Sequence, residues 1–179
     1  MLEASDDESA EPDWELLDCF SGGGTLSLAA RDAGMRVGVA VDNSADALRV
    51  YKENFRDTRV HCATLGPGHD EFTFPAPRER LHCHLSPPCV ELSNAKTNGR
   101  TADGLAMLEW SVRQGVKYRS WSVETVYTSA TRTLAQKMAA ELPDRVAFGV
   151  YDGVNFGAPQ NRVRLVLSTP KIIKRLNEA

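Results

Sequence analysis

Three stretches put chemically useful side chains at telling spacings. Cys89 directly follows Pro87 and Pro88 in the run His84-Leu85-Ser86-Pro87-Pro88-Cys89. Each proline fixes its own φ and narrows the residue before it, so the thiol is presented on stiff backbone. Two readings of Cys89 stay open on these residues alone: a packed thiol in a rigid turn, or a nucleophile held at the end of a strand. The second stretch is Asp18-Cys19-Phe20-Ser21-Gly22-Gly23-Gly24. Glycines let the chain turn sharply and bring backbone N–H groups close to a ligand. Asp42 stands eighteen positions after Gly24, where a carboxylate can bind both hydroxyls of a ribose. The spacing is neither G-x-G-x-x-G nor G-x-x-x-x-G-K-[ST], which points away from a dinucleotide or ATP and toward another adenosine ligand. The third is Glu124 with the later pair Arg162 and Arg164; taken singly these read as a surface acid and solvated cations. His82 and His84 share a strand face near Cys89, but no second ligand pair stands at metal-binding spacing, so no metal is expected.

These residues need a scaffold. Trp14 to Phe20, Val37 to Val41, Thr58 to Cys62, Leu81 to Leu85, Arg119 to Val126, Val146 to Tyr151 and Val163 to Ser168 read as strands. Thr25 to Ala33, Ala45 to Asn54, Ala102 to Gln114 and Thr131 to Leu142 read as helices, the first stopped by Gly34. Leu65 to Pro77 reads as loop with one helical turn, and Pro87 to Arg100 as an irregular polar loop. Alternating strand and helix implies βαβ units: an α/β domain with a mostly parallel sheet and helices on both faces. The last two strands are joined by a short Gly/Pro segment with no helix, which predicts an antiparallel pair at the edge. Ligands bind such sheets at the carboxyl ends of the strands, where all three stretches above should gather.

The 179 residues suffice for one domain with a real core, with hydrophobic residues at 42% and charged at 25%, a globular profile. No apolar run is long enough to cross a bilayer and the first residues are acidic, so the expected setting is intracellular, in cytoplasm or nucleus, with no membrane partner and reduced cysteines. The net charge of −3 hides an asymmetry. Residues 1–13 carry six acids and no base, and read as a disordered tail before a single domain spanning 14–179. The remainder is mildly basic but shows no dense basic cluster along the chain, so charge alone does not argue for nucleic acid.

Taken in order, four segments resemble the cytosine-C5 DNA methyltransferase family. DCFSGGG (18–24) is similar to its first S-adenosylmethionine loop, SPPCVELS (86–93) to its Pro-Cys loop with Ser93 at the family offset, VETV (123–126) to its Glu-Asn-Val strand, and GVNFGAPQNRVR (153–164) to its Gly-x-Pro-Gln-x-Arg-x-Arg loop. The resemblance spans most of the chain. It implies a Rossmann-like S-adenosylmethionine-dependent fold and methyl transfer to C5 of cytosine. It implies Cys89 as nucleophile, Glu124 at N3 of the base, and Arg164, with Arg162 its partner, at the base O2. Phe20, Gly22, Gly24 and Asp42 fall on positions that hold methionine, adenosine and ribose, and the implied cofactor set also takes in Asp18, Ser21, Gly23, Asn43 and Pro87.

The departures are specific. Ala63 stands where the family has an acid near the adenine amino group, Thr125 where it has asparagine, Val90 where glutamine follows the cysteine, and Thr25 where the first loop has its second glycine. The residues after Ser168 are too few for the family's target-recognition region and the returning helix and strand, so the expectation is a catalytic domain without that region. The implied partner is nucleic acid, DNA before RNA, with a second protein chain as a possible source of target recognition. The alternatives are a non-catalytic or partner-dependent regulator and an RNA cytosine methyltransferase.

Overall fold

A computed structural model describes residues 14–89, 92 and 101–178. The first strand, β1 (Glu15–Cys19), is buried at all five positions because it pairs in parallel with β2 (Arg36–Asp42) on one side and β4 (Leu81–Leu85) on the other, with helices above and below. Outward from β2 lies β3 (Arg59–Cys62), and outward from β4 lies β5 (Ser120–Val126). The sheet is closed by β7 (Val163–Ser168) and β6 (Ala147–Asp152), giving the order β3-β2-β1-β4-β5-β7-β6. Only β7 runs against its neighbours, β5 and β6. The antiparallel pair expected at the edge is therefore present, and β7 itself is inserted one strand in.

The two faces carry different cores. On one, α3 (Thr101–Gly115) and α4 (Ser129–Glu141) cover Leu17, Cys19, Cys83, Leu85, Trp121, Val123, Leu165 and Leu167. Trp121 is fully buried and sets the spacing of α3: a Cβ on Gly115 would stand 2.6 Å from its ring. On the other, α1 (Thr25–Asp32) and α2 (Ala45–Asn54) cover Leu16, Val37 and Ala40 with Tyr51 and Phe55. The strand pattern explains the division. In β5, Trp121, Val123 and Thr125 are buried, while the alternate Ser120, Ser122 and Glu124 are half-buried on the opposite face.

Three expectations need correction. Leu65 to Pro77 contains turns and bends without a helical turn. The Gly/Pro segment before β7 contains a short 3-10 turn, Gly153–Phe156, capped by the Asp152 carboxylate. The residues after Ser168 form a helix, α5 (Pro170–Glu178), in which Thr169 Oγ accepts the Ile172 N–H, Pro170 takes the first position and Ile173 is buried. The other elements fall within two residues of expectation. Residues 1–13, Val90, Ser93 and most of the polar loop after Cys89 lie outside the described residues. No helix among the described residues is long and apolar enough to cross a membrane.

Between α1 and α5, the face over β4 and β5 carries polar side chains. His82 bridges the hydroxyls of Ser120 (2.8 Å) and Ser122 (2.9 Å), and His84 bonds Ser122 at 2.8 Å. Burial holds the His82 imidazole down at about 4 and His84 at about 3, the latter helped by its neighbour. Below about pH 6.5 the unfolded chain takes up two protons that the folded chain refuses until far lower pH. This stability is full above about pH 6.5 and is lost as pH falls through the acid range. Replacing both by glutamine should flatten the fall in stability between about pH 6.5 and 4 in urea unfolding followed as a function of pH.

Candidate active site

The carboxyl edge of the sheet gathers the loops after β1, β2, β3 and β4. The glycine loop leaves β1 through Phe20, which holds a left-handed φ of 61° without being glycine. Gly22 (φ 51°) and Gly24 (φ 97°) follow. At Gly24 both the angle and the space exclude a side chain, because a Cβ would stand 2.8 Å from the Phe55 ring and 3.0 Å from Tyr51. The loop is pinned from two sides. Ser21 N–H donates to Val41 O (3.1 Å), and Gly22 N–H donates to Asp42 Oδ2 (2.8 Å) while Ser44 N–H donates to Asp42 Oδ1 (2.9 Å). Asp42 thus fixes the loop and, as a two-oxygen acceptor, keeps lone pairs for a ligand. Gly24 caps α1 with no side-chain bond, and no acid sits in the first turn, so the first N–H groups of α1 face the loop without a carboxylate of their own.

Beneath the loop lies a buried relay that the sequence did not reveal. Ser27 Oγ stands 2.6 Å from both Asp18 Oδ2 and Tyr51 Oη. Burial raises the Tyr51 phenol to about 12, so it stays protonated; it donates to Ser27, and Ser27 donates its single proton to Asp18. Asp18 Oδ1 is buried without a partner. Burial, opposed by the serine bond, pushes the Asp18 carboxyl up to about 6. Cys19 beside it is pushed well above the usual thiol range, by burial first and by Cys83 second.

The Pro-Pro-Cys segment is tied to the glycine loop by Ser86, whose N–H donates to Cys19 O (3.2 Å) and whose hydroxyl donates to Phe20 O (3.3 Å). Pro87 is buried, Pro88 exposed and Cys89 half-buried, with its carbonyl accepting Leu92 N–H at 3.0 Å. Between the loops lies a cleft of about 360 Å³ lined by Phe20, Asp42, Asn43, Ala63, Thr64, Leu65, Ser86, Pro88 and Met107. Of the residues expected to hold a cofactor, Phe20, Asp42 and Asn43 line it; Gly22 bonds Asp42; Asp18, Ser21 and Gly24 are buried behind, and Gly23 is exposed. A carboxylate also returns to the acid-poor end of β3. Glu71 Oε2 accepts Thr64 N–H at 2.8 Å, and this bond lowers its pKa.

One strand further, Glu124 and Arg164 form an ion pair across β5 and β7, Nε to Oε1 at 2.5 Å, both partly open to solvent. Arg164 lies opposite Val126, two positions along β5 from Glu124, so the pair is diagonal on one face. Arg162 is not in the strand with it. It lies in the preceding loop with an exposed side chain, and its N–H donates to Asp152 Oδ1 at 2.8 Å. The Thr125 hydroxyl is buried without a partner among the described residues, so it gives the Pro-Pro-Cys loop no side-chain support there. Among the described residues no three His, Cys, Asp or Glu side chains cluster to hold a metal.

No family model matches the sequence, and no curated protein matches it. Solved structures do match its fold. A protein described as a DNA modification methyltransferase from an E. coli prophage superposes with a TM-score of 0.62 at 20% identity, covering 90% of this chain and 48% of that one. Spodoptera frugiperda DNMT2 gives 0.58 at 20% identity, covering 87% and 49%. A Pyrococcus horikoshii protein described as an RNA methyltransferase gives 0.55 at 14%, covering 89% and 76%. The class follows: this is a Rossmann-like methyltransferase fold, shared with DNA and RNA methyltransferases. The chain spans about half the length of the first two of these structures.

The buried carboxyl yields a test. Folded Asp18 holds its proton more tightly than in the unfolded chain, so its ionisation cost is absent below about pH 4 and complete above about pH 6, roughly 3 kcal/mol. Asp18→Asn should raise stability by about 1–3 kcal/mol at pH 8 and change it little at pH 4, measured by denaturant unfolding at both values.

Proposed function

We propose that this domain binds S-adenosylmethionine in the cleft beside the glycine loop and methylates C5 of cytosine in nucleic acid, DNA before RNA, through Cys89. The observation that carries the reading is the Glu124–Arg164 pair, on the same sheet edge as a Pro-Pro-Cys segment that Ser86 ties to the glycine loop. A cytosine C5-methyltransferase needs a thiolate, an acid and an arginine around one base, and a packing role for Cys89 needs neither of the other two.

The cleft fits the cofactor in size and chemistry. Its volume lies in the range of small-molecule sites, Phe20, Leu65 and Met107 supply apolar wall, and Asp42 and Asn43 supply polar groups. The open N-terminus of α1 suits a carboxylate such as that of the methionine moiety. Glu71, through its bond to Thr64, takes the place of the acid that the family carries where Ala63 stands, facing an amino group of the adenine. S-adenosylmethionine supplies the electrophilic methyl.

The protein's part is to make C5 of cytosine nucleophilic. The Cys89 thiolate adds to C6, and the ring's electrons move toward C5 and N3. Glu124 binds or protonates N3 and Arg164 bonds O2, stabilising charge that develops only as the adduct forms. C5 takes the methyl; loss of the C5 proton to a base, return of any N3 proton to Glu124 and loss of the Cys89 thiolate from C6 then restore the aromatic ring. Arg162, outside the ion pair and exposed in the preceding loop, helps Arg164 position the base in this reading. A second protein chain is the proposed contributor to target recognition. Tyr127, Val154, Phe156 and Val163 leave apolar surface exposed around the loops flanking β7, beside the arginine loop, where such a chain would sit.

The test is transfer of labelled methyl to cytosine in duplex DNA, single-stranded DNA and RNA. Cys89→Ala should abolish transfer and leave cofactor affinity within about twofold; transfer that persists in this variant sinks the mechanism. Glu71→Ala should weaken cofactor binding about tenfold by calorimetry, the size of one charge-assisted hydrogen bond.

A further inference from the structure

The opposite edge of the sheet carries a feature that the linear sequence conceals. Arg78, Lys117, Arg119, Arg145, Lys171 and Arg175 are scattered along the chain, yet all six line two adjoining depressions at the amino ends of the strands. One, of about 540 Å³, holds Arg78, Lys117, Arg119 and Arg145; the other, of about 340 Å³, holds Arg119, Lys171, Arg175 and Trp14. Arg119 lines both and joins them. The acids on these walls are Glu79 and Asp144, and Arg78 is paired with the buried Glu15 behind them at 2.6 Å, which leaves an excess of three positive charges. From Trp14 onward the whole chain has 21 basic and 18 acidic residues, an excess of three, so this edge accounts for all of it.

Several of these cations are available. Lys171 and Arg175 lie one turn apart on α5, are exposed, and have no partner among the described residues. Arg119 meets Glu79 at 3.4 Å with both side chains about three-quarters exposed, a pairing that a phosphate readily displaces. Arg145 is oriented by the carbonyls of Val116 and Tyr118. Trp14 is 40% exposed at the rim of the smaller depression.

We infer that this edge is a second binding site, for single-stranded nucleic acid, with a base stacked on Trp14 and phosphates on Lys171, Arg175 and Arg119. Cations with an exposed aromatic ring are what an unpaired strand requires. An acidic peptide has no use for the tryptophan, and the bases of a duplex, stacked within the helix, cannot reach it. Along β5, Ser120 at this edge and Glu124 at the other are four residues apart, roughly 13 Å at strand rise, so binding here leaves the catalytic edge free. Holding substrate for the far edge is the role that rests on the proposed methyl transfer; the binding itself does not.

The experiment is direct titration of the full chain at low salt with labelled oligothymidine and oligouridine of about twelve nucleotides, read by anisotropy and by tryptophan fluorescence. Trp121 is fully buried, but Trp110 is partly exposed beside Phe20, so the share of quenching that Trp14→Leu removes is what reports on Trp14. Lys171→Glu with Arg175→Glu should weaken binding at least tenfold and lower the salt slope by about 1.4, while Arg132→Glu on the exposed surface of α4 should leave both near wild type. Trp14→Leu should remove most of the quenching and weaken binding about 5- to 100-fold. Circular dichroism verifies that each variant is folded, and methyl transfer is not part of the readout. Unchanged affinity in the Lys171/Arg175 variant, an equal loss with Arg132→Glu, or polyglutamate binding as tightly as the oligonucleotide would each overturn the assignment.

Discussion

β1 is hydrogen-bonded on both sides, and the chain leaves it in one direction through β2 and β3 and re-enters on the other side at β4. That reversal parts the loops at the end of β1: those of β1 and β2 fall to one side, that of β4 to the other. A crevice opens between them without any residue having to hold it open. What remains for side chains is to stop the loops from closing it. Asp42 does so by taking two backbone N–H groups, and Ser86 by bonding the carbonyls at the end of β1.

The interior beneath the crevice is unusually polar for a domain this size. Asp18 is wholly buried, with one oxygen served by Ser27 and the other by nothing among the described residues. His82 and His84 are neutral and satisfied by serines. The two cases differ in kind. The imidazoles give up their charge to stay buried, which costs little at neutral pH. The carboxylate keeps a charge with half its hydrogen bonds missing, a strain of the sort found where a ligand completes the set. The relay to Tyr51 also reaches the ring that Gly24 packs against, so the charge under the loop and the shape of the loop rest on the same tyrosine.

Much of this was legible in the sequence. Strands stood out where apolar residues ran continuously, as in β1, or alternated, as in β5. The glycine loop and Asp42 could be placed because turn chemistry and strand ends are local. Glu124 and Arg164 could be named from resemblance, but their contact depends on a register between strands running in opposite directions. Arg162, two residues away, looked equivalent and lies outside the strand. α5 was missed although Ile172, Ile173 and Leu176 share its inner side, because nine residues with three apolar ones are too short a stretch for helical spacing to stand out. Glu71 and Ser27 were missed because each acts on a residue that sequence distance does not indicate. The basic edge was invisible for the same reason: its six cations come from three separate connections and a helix.

The reversed strand has a further consequence. Arg164 enters along β7, and its position depends on pairing with β5 and β6, not on the length of the connection before it. Asp152 closes that connection at its base by holding Arg162 N–H, while Gly153 N–H bonds Arg162 O. Residues added between these clamps would extend outward and leave the arginine where it is; a slip of one residue inside β7 would put Val163 or Leu165 in its place. Selection can therefore lengthen and vary this hairpin, trying new surfaces against new targets, while the chemistry below stays unchanged.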